Sequence, residues 1–271
     1  MSRRRLIPIL RGITIALIAV VFIGPILWML LASLKLNVDI YDAAKTFIFK
    51  PTFANYINVF GRANYLLYIK NSLWVAVVST GLSLVLGVPA AYAMARFRMR
   101  RSANLVLLAR VIPGISLLIP WYYVFANLKL TGGYSVLILA HMFVSLPLIV
   151  YIMMSFFQQL PEELEEAAQV DGLTPIGAFL RVTLPLSAPG IATSTILSFI
   201  FSWNNFMFAL ALSQSKTQTL PVAIYGFISY SSIDWGGLMA ASAVVTTPIM
   251  LIALFTQKYI VTGFTAGATK G

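Results

Sequence analysis

The chain has 271 residues, of which 59% are apolar and only 10% charged, roughly twice too few charges for an ordinary soluble surface. It has no cysteine, which excludes disulfides, thiolate metal sites and cysteine nucleophiles. Its net charge of +11 comes from basic residues beside apolar blocks, where they fix membrane orientation rather than gather nucleic acid.

The apolar blocks are longer than a soluble core helix needs, so lipid is the expected solvent and an all-α membrane protein the expected class. The first block, Gly12 to Leu34, follows Arg3, Arg4, Arg5 and Arg11, a layout shared by secretory signals and uncleaved anchors. Its uncharged length exceeds a signal-peptide core, which predicts a retained first span at 13–33. Lys35 to Lys70 reads as an outer-surface loop, with Pro51, Asn55, Asn58 and several aromatic residues, and not as a separate domain. Further uncharged stretches predict spans at 73–95, 105–125, 136–157, 190–212 and 238–257, each about the 20 residues that cross a hydrocarbon core of about 30 Å. The whole chain, 1–271, is then one transmembrane domain with six spans.

Several polar residues fall inside these spans. Arg110 lies in the third, where an ionised side chain costs about 2.5–3.5 kcal/mol at the helix centre. Two readings stand for it: a place on a pathway or against an anionic substrate, and snorkelling back to the interface. Ser202, Trp203, Asn204 and Asn205 in the fifth span offer the amides and aromatic face that sugars require, and such groups equally serve helix packing. His141 is the single histidine and has no carboxylate at metal or triad spacing, which predicts a hydrogen bond within the bundle and no metal site. Pro113, Pro120 and Pro147 can kink or loosen their helices.

Only eight acidic residues occur, yet Glu162, Glu163, Glu165, Glu166 and Asp171 crowd one loop, 161–186. Pro161 suits a first helical position, the carboxylates favour the positive end of the helix dipole, and Asp171-Gly172 ends that helix. Thr174-Pro175 then opens a second short helix, which Leu184-Pro185 stops. The hairpin reads as a docking knob. Ala167 and Ala168 allow close approach, and Glu165 and Glu166 supply charge for a partner's Arg or Lys. Between the last two spans, 213–237 carries Tyr225, Phe227, Tyr230 and Trp235 and suits either a re-entrant segment or an interfacial loop.

A cytoplasmic N-terminus would place eleven basic residues inside and seven outside, five of those seven spread over the long first loop, which favours cytoplasmic N- and C-termini. The acidic loop is then cytoplasmic.

The spacing in that loop is specific. Glu166-Ala167-Ala168 is followed after three residues by Gly172, after nine more by Val182, and then by Leu184-Pro185. The pattern resembles the EAA motif of ABC importer permeases, and the chain is similar to their carbohydrate-uptake branch, in particular the maltose-type subunit that pairs with a second permease. Asn71-Ser72, Ile112-Pro113, Ile119-Pro120, Phe201-Ser202-Trp203-Asn204 and the tail Thr262-Gly263-Phe264-Thr265-Ala266-Gly267 extend the likeness over nearly the whole chain. Asn205 departs from it, standing where many relatives carry an acidic residue.

The resemblance implies a type I ABC importer permease fold with a cytoplasmic coupling-helix hairpin in the bacterial inner membrane. It implies that Glu165, Glu166, Ala167, Ala168, Asp171, Gly172, Leu184 and Pro185 couple to an ATPase, and that Gly263, Gly267 and Lys270 reach towards the same partner. The implied partners are a second homologous permease, a cytoplasmic ATPase dimer and an extracytoplasmic sugar-binding protein. No G-x-x-x-x-G-K-S/T phosphate loop is present, so ATP and Mg belong to a separate chain, and this one is expected to be non-catalytic and without a cofactor of its own. The competing reading is an ion-coupled secondary carrier. Against it, no acidic residue interrupts a predicted span and no internal repeat is visible. A membrane enzyme would need catalytic groups gathered at one interface, and only the loop carboxylates cluster.

Overall fold

The computed structural model describes residues 3–62, 64–229 and 232–266. Its helices in chain order are α1 (Arg3–Ser33), α2 (Asn37–Ile40), α3 (Ala54–Gly61), α4 (Tyr65–Arg96), α5 (Arg100–Leu108), α6 (Gly114–Asn127) and α7 (Tyr134–Phe157). Then follow α8 (Glu163–Val170), α9 (Pro175–Ala178), a π turn (Phe179–Thr183), α10 (Leu184–Leu186), α11 (Ala188–Trp203), α12 (Met207–Leu212), α13 (Leu220–Tyr225) and α14 (Trp235–Ala266).

The longest apolar blocks become the longest helices. Among the described residues four helices are long and apolar enough to cross a membrane unaided, within α1, α4, α7 and α14. The predicted third and fifth spans are not continuous, which corrects the expectation of six unbroken helices. In the third, α5 stops at Leu108 and α6 begins at Gly114. Pro113 has no N–H to donate and disfavours helical geometry at Ile112, so the chain tightens into three-residue turns, Arg110 N–H to Leu107 O at 3.0 Å and Val111 N–H to Leu108 O at 3.0 Å. In the fifth, α11 stops at Trp203 because Asn205 turns its side chain onto the backbone, Oδ1 accepting from Phe208 N–H at 3.1 Å. Pro120, Pro147 and Pro248, by contrast, lie inside helices that continue past them.

Two compact units can be described separately. The first comprises 1–66 and 223–248. Lys35 is buried at the end of α1, its Nζ donating to the carbonyls of Lys45 at 3.0 Å and Thr46 at 2.6 Å, with Trp28 and Phe49 rings around it. Asn55 on α3 donates to the carbonyls of Ser33 and Lys35 and satisfies the end of α1. Asp234 accepts from Asn37 Nδ2 at 2.9 Å, Gly237 N–H at 3.0 Å and Arg62 at 3.0 Å. Within this unit, these ties order the first loop and the start of α14.

The second unit comprises 67–222 and 249–271. Its core includes Val88, Ala91, Ile149, Val150, Met153 and Phe157, where α4 meets α7. Small residues set the spacing: a Cβ on Gly87 would stand 3.0 Å from Ile149, and one on Gly190 only 2.7 Å from the Phe156 ring. A seam of hydroxyls runs inside the packing. Ser79, Ser83, Ser145, Ser194, Ser198 and Ser202 are all buried, and Ser202 Oγ lies 2.6 Å from His141 Nδ1 and 3.1 Å from Ser79 Oγ. Asn71 and Ser72 are tied the same way, Asn71 Nδ2 donating to the carbonyls of Lys216 and Gln218 and Ser72 Oγ accepting from Leu220 N–H.

Candidate functional site

The acidic loop folds as the hairpin its sequence suggests, shifted by two residues at its start. Pro161 precedes the helix instead of opening it; Glu162 is the N-cap and Glu163, Glu165 and Glu166 fill the first turn of α8. Gly172 at φ +94° ends it, Gly172 N–H donating to Gln169 O and Leu173 N–H to Ala168 O, both at 3.0 Å. Those two bonds are a Schellman motif, and the left-handed position suits glycine. Thr174 Oγ1 accepts from Gly177 N–H at 3.1 Å and Pro175 takes the first position of α9. Leu184-Pro185 does not stop the second helix, as the sequence suggested. The chain widens into the π turn, Leu184 N–H reaching back five residues to Phe179 O, which accommodates a proline that cannot donate, and helix continues through Leu186. The bend comes at Ser187, where 175–186 and α11 meet at 72°.

Beneath α8 lies a buried ion pair. Arg96, the last residue of α4, places Nε 3.0 Å and Nη2 2.8 Å from Glu165 Oε1, and each side chain is only 10% exposed. Its Nη1 donates to the carbonyls of Phe157 at 3.2 Å and Leu160 at 3.1 Å, which satisfies the C-terminus of α7. Thr183 Oγ1 in the π turn donates to Glu165 Oε1 at 2.7 Å and Tyr92 OH to Oε2 at 2.6 Å. The Tyr92 ring packs 4.4 Å from Phe179 and 5.6 Å from Phe157 between centroids. Burial by itself would raise the Glu165 carboxyl, but bonds from Tyr92, Thr183 and Arg96 and the guanidinium charge hold it below its usual value of 4.5. Because both carboxylate oxygens are bonded within a nearly buried site, removing either partner strands a buried charge, at a cost of about 3–5 kcal/mol.

This arrangement corrects one expectation. Glu165 and Ala168 are turned inward and buried, so Glu165 does not offer its charge to another chain. Glu166, Ala167, Asp171 and Pro185 are exposed and Leu184 is half-buried. An apolar feature that sequence reasoning missed accompanies them: Leu164, Val170, Ile176 and Leu180 are 43%, 88%, 72% and 51% exposed. The exposure of Leu164 and Val170 could have been read from the helical positions they share with Glu163, Glu166 and Ala167 on α8.

The pathway candidates separate into two groups. Ser202 and Trp203 are buried, Ser202 spent on His141 and Ser79 and Trp203 stacked on Phe199 with centroids 5.9 Å apart. Asn204 is exposed. Arg110 and Asn205 come together at the two interruptions, lining a cavity of about 300 Å³ with Ile112, Phe143, Phe201 and Phe208. Among the described residues nothing pairs with Arg110, which is exposed. Gly267 and Lys270 lie outside the described residues, and Gly263 lies on the helical run of α14.

Comparison with known proteins agrees with this architecture. Residues 83–265 match the family described as binding-protein-dependent transport system inner membrane component. The chain is 38% identical to the trehalose transport system permease protein of Mycobacterium tuberculosis, covering 91% of this chain and 92% of that one. It is 35% identical to the sulfoquinovosyl glycerol transport system permease protein of Agrobacterium fabrum, covering 97% and 94%. A crystal structure of a bacterial ABC transporter that imports the acidic polysaccharide alginate contains a chain of the same fold, with a TM-score of 0.82 at 20% identity over 96% of this chain and 98% of that one. The self-sufficient carrier is thereby set aside. A helical chain with a clamped EAA hairpin, matched over most of its length by such permeases, belongs to the binding-protein-dependent transport system inner membrane component family and is an ABC importer permease.

Proposed function

We propose that this chain is one of two transmembrane subunits of an ATP-driven importer of a carbohydrate, and that a separate ATPase docks on its α8–α10 hairpin. The observation that carries the docking is the exposed surface of the hairpin, where Glu166, Ala167 and Val170 on α8 and Ile176 on α9 are all turned outward. A bare apolar face rimmed by carboxylates suits a protein partner with basic groups. The carbohydrate rests on relatives named for trehalose and for sulfoquinovosyl glycerol transport.

In this reading there are six crossings, α5 with α6 and α11 with α12 each forming one interrupted crossing. The hairpin and both termini lie in the cytoplasm, as the distribution of basic residues favours. Irregular backbone at membrane depth is tolerated where it lines a cavity, so the Arg110 and Asn205 pocket, with Asn204 nearby in sequence, is assigned to the cargo pathway. A second permease completes that pathway, an extracytoplasmic binding protein delivers the sugar, and ATP and Mg stay on the ATPase. Glu166, Ala167, Asp171 and Gly172 meet that ATPase, and Gly263, Gly267 and Lys270 extend the contact.

The test is co-purification of a tagged copy from its source cell in mild detergent. A cytoplasmic ATPase and a second permease are expected in fixed stoichiometry, and Val170→Asp with Ile176→Asp should release the ATPase while the second permease stays. Purification of the chain alone, or an ATPase retained by that double variant, would count against docking at this face.

A further inference from the structure

The Arg96–Glu165 ion pair sits where the hairpin meets the long helices. One guanidinium ends α4, reaches α8 through Glu165 and satisfies the end of α7 through Phe157 and Leu160, while Glu165 reaches the π turn through Thr183. Glu165 and Glu166 are consecutive and so lie about 100° apart around α8, one facing the clamp and the other the exposed docking face.

A displacement of α8 can reach the helices that cross the membrane by two routes. One is the covalent chain, which passes through turns at 158–162 and 171–174, the left-handed Gly172 and the 72° bend at Ser187. Turns absorb displacement by small changes of φ and ψ. The other is the direct contact, four guanidinium donor bonds and two hydroxyl bonds without an intervening turn. The direct contact is the stiffer of the two.

We propose that Arg96, Glu165 and Tyr92 form a transmission clamp, positioning α8 against α4 so that movement imposed at the docking face is passed to the membrane helices instead of being lost in the turns. Arg96 and Glu165 are positioning residues that touch neither nucleotide nor cargo. The inference rests on the docking reading above and adds to it the residues through which force enters the membrane.

The test uses the whole complex, purified in mild detergent and returned to vesicles, and needs no knowledge of the sugar. The chain has no cysteine, so Val111→Cys at the interruption between α5 and α6 gives it a single reporter thiol, labelled with fluorescein maleimide and read on the separated chain. In the parent, Mg-ATP with vanadate should change the labelling rate about fivefold or more, the lower end of a usual coupling between sites. Added to that background, Arg96→Gln or Glu165→Gln should leave vanadate-sensitive hydrolysis per assembled complex within about twofold of the parent while the labelling response is lost. Arg96→Lys should restore part of it.

Tyr92→Phe, which removes one bond and keeps the ring between Phe157 and Phe179, carries the same expectation in milder form should the Gln variants assemble poorly. A full labelling response in assembled Tyr92→Phe and Gln complexes overturns the proposal, as does hydrolysis falling in step with the response, the mark of a purely structural pair. If no ATPase accompanies even the parent, it is the docking reading that has failed.

Discussion

Two arginines fourteen residues apart in the same unit meet opposite fates. Arg96 is nearly buried, with four of its donor bonds made and Glu165 against it; Arg110 stands exposed beside a cavity with nothing paired to it among the described residues. The first charge is consumed by the architecture, whereas the second is left available. A guanidinium with four of its donor bonds made to fixed acceptors holds elements together, whereas one with no partner among the described residues adds little to the packing.

The sharpest way to break this contrast is to remove the consumed charge. Arg96→Ala or Glu165→Ala should destabilise the second unit by about 3–5 kcal/mol, seen as a lowered unfolding temperature in detergent. The Glu165 carboxyl is held below its usual 4.5, so its stabilisation is complete above that pH and is lost as pH falls through the lower folded value. The parent should therefore lose stability in acid below about pH 4.5, and Glu165→Gln, less stable at neutral pH, should show a flatter acid limb.

Next in size is Gly172→Pro. It forces φ from +94° to near −65° and removes the N–H bonded to Gln169, costing about 3 kcal/mol locally. Sugar uptake should vanish while the chain remains in the membrane fraction; unchanged uptake would detach the hairpin from coupling. Gly190→Ala pushes a methyl group to 2.7 Å from Phe156 and should cost about 1–3 kcal/mol by overpacking, measurable by the same melting experiment and relieved by Phe156→Leu. Thr174→Ala removes the cap of α9 for about 1 kcal/mol, to be read from faster proteolysis or hydrogen exchange across 174–178.

Arg110→Gln is expected at the bottom of the scale, with melting temperature unchanged or slightly raised. Only transport should suffer. A loss of stability comparable with that of Arg96→Ala would erase the distinction between the two arginines.

Much of this was legible in the residues themselves. Runs of uncharged residues gave α1, α4, α7 and α14, because solvent preference accumulates over twenty positions and outvotes local detail. Gly172, Thr174 and Pro175 announced the hairpin, since caps and left-handed turns depend on one or two residues. The interruptions were harder: hydropathy is blind to backbone hydrogen bonding, and proline within a membrane segment breaks the helix at Pro113 but not at Pro120 or Pro147. The clamp was hidden for another reason. Arg96 and Glu165 are 69 positions apart, and each had another explanation, one as a basic residue on the inner side of the membrane and the other as charge for a docking partner. The four-residue spacing of Tyr92 and Arg96, which puts a phenol and a guanidinium on one helix face, was the only local hint.

The hydroxyl seam between α4, α7 and α11 has an electrical consequence. Ser79, Ser83, Ser145, Ser194, Ser198 and Ser202 bring dipoles into the packing but no carboxylate, ammonium or guanidinium. Carrying one elementary charge through 100 mV involves about 2.3 kcal/mol, a load that a rearranging interface of hydroxyls does not bear. The packed serines themselves therefore carry no formal charge that the membrane potential could act on.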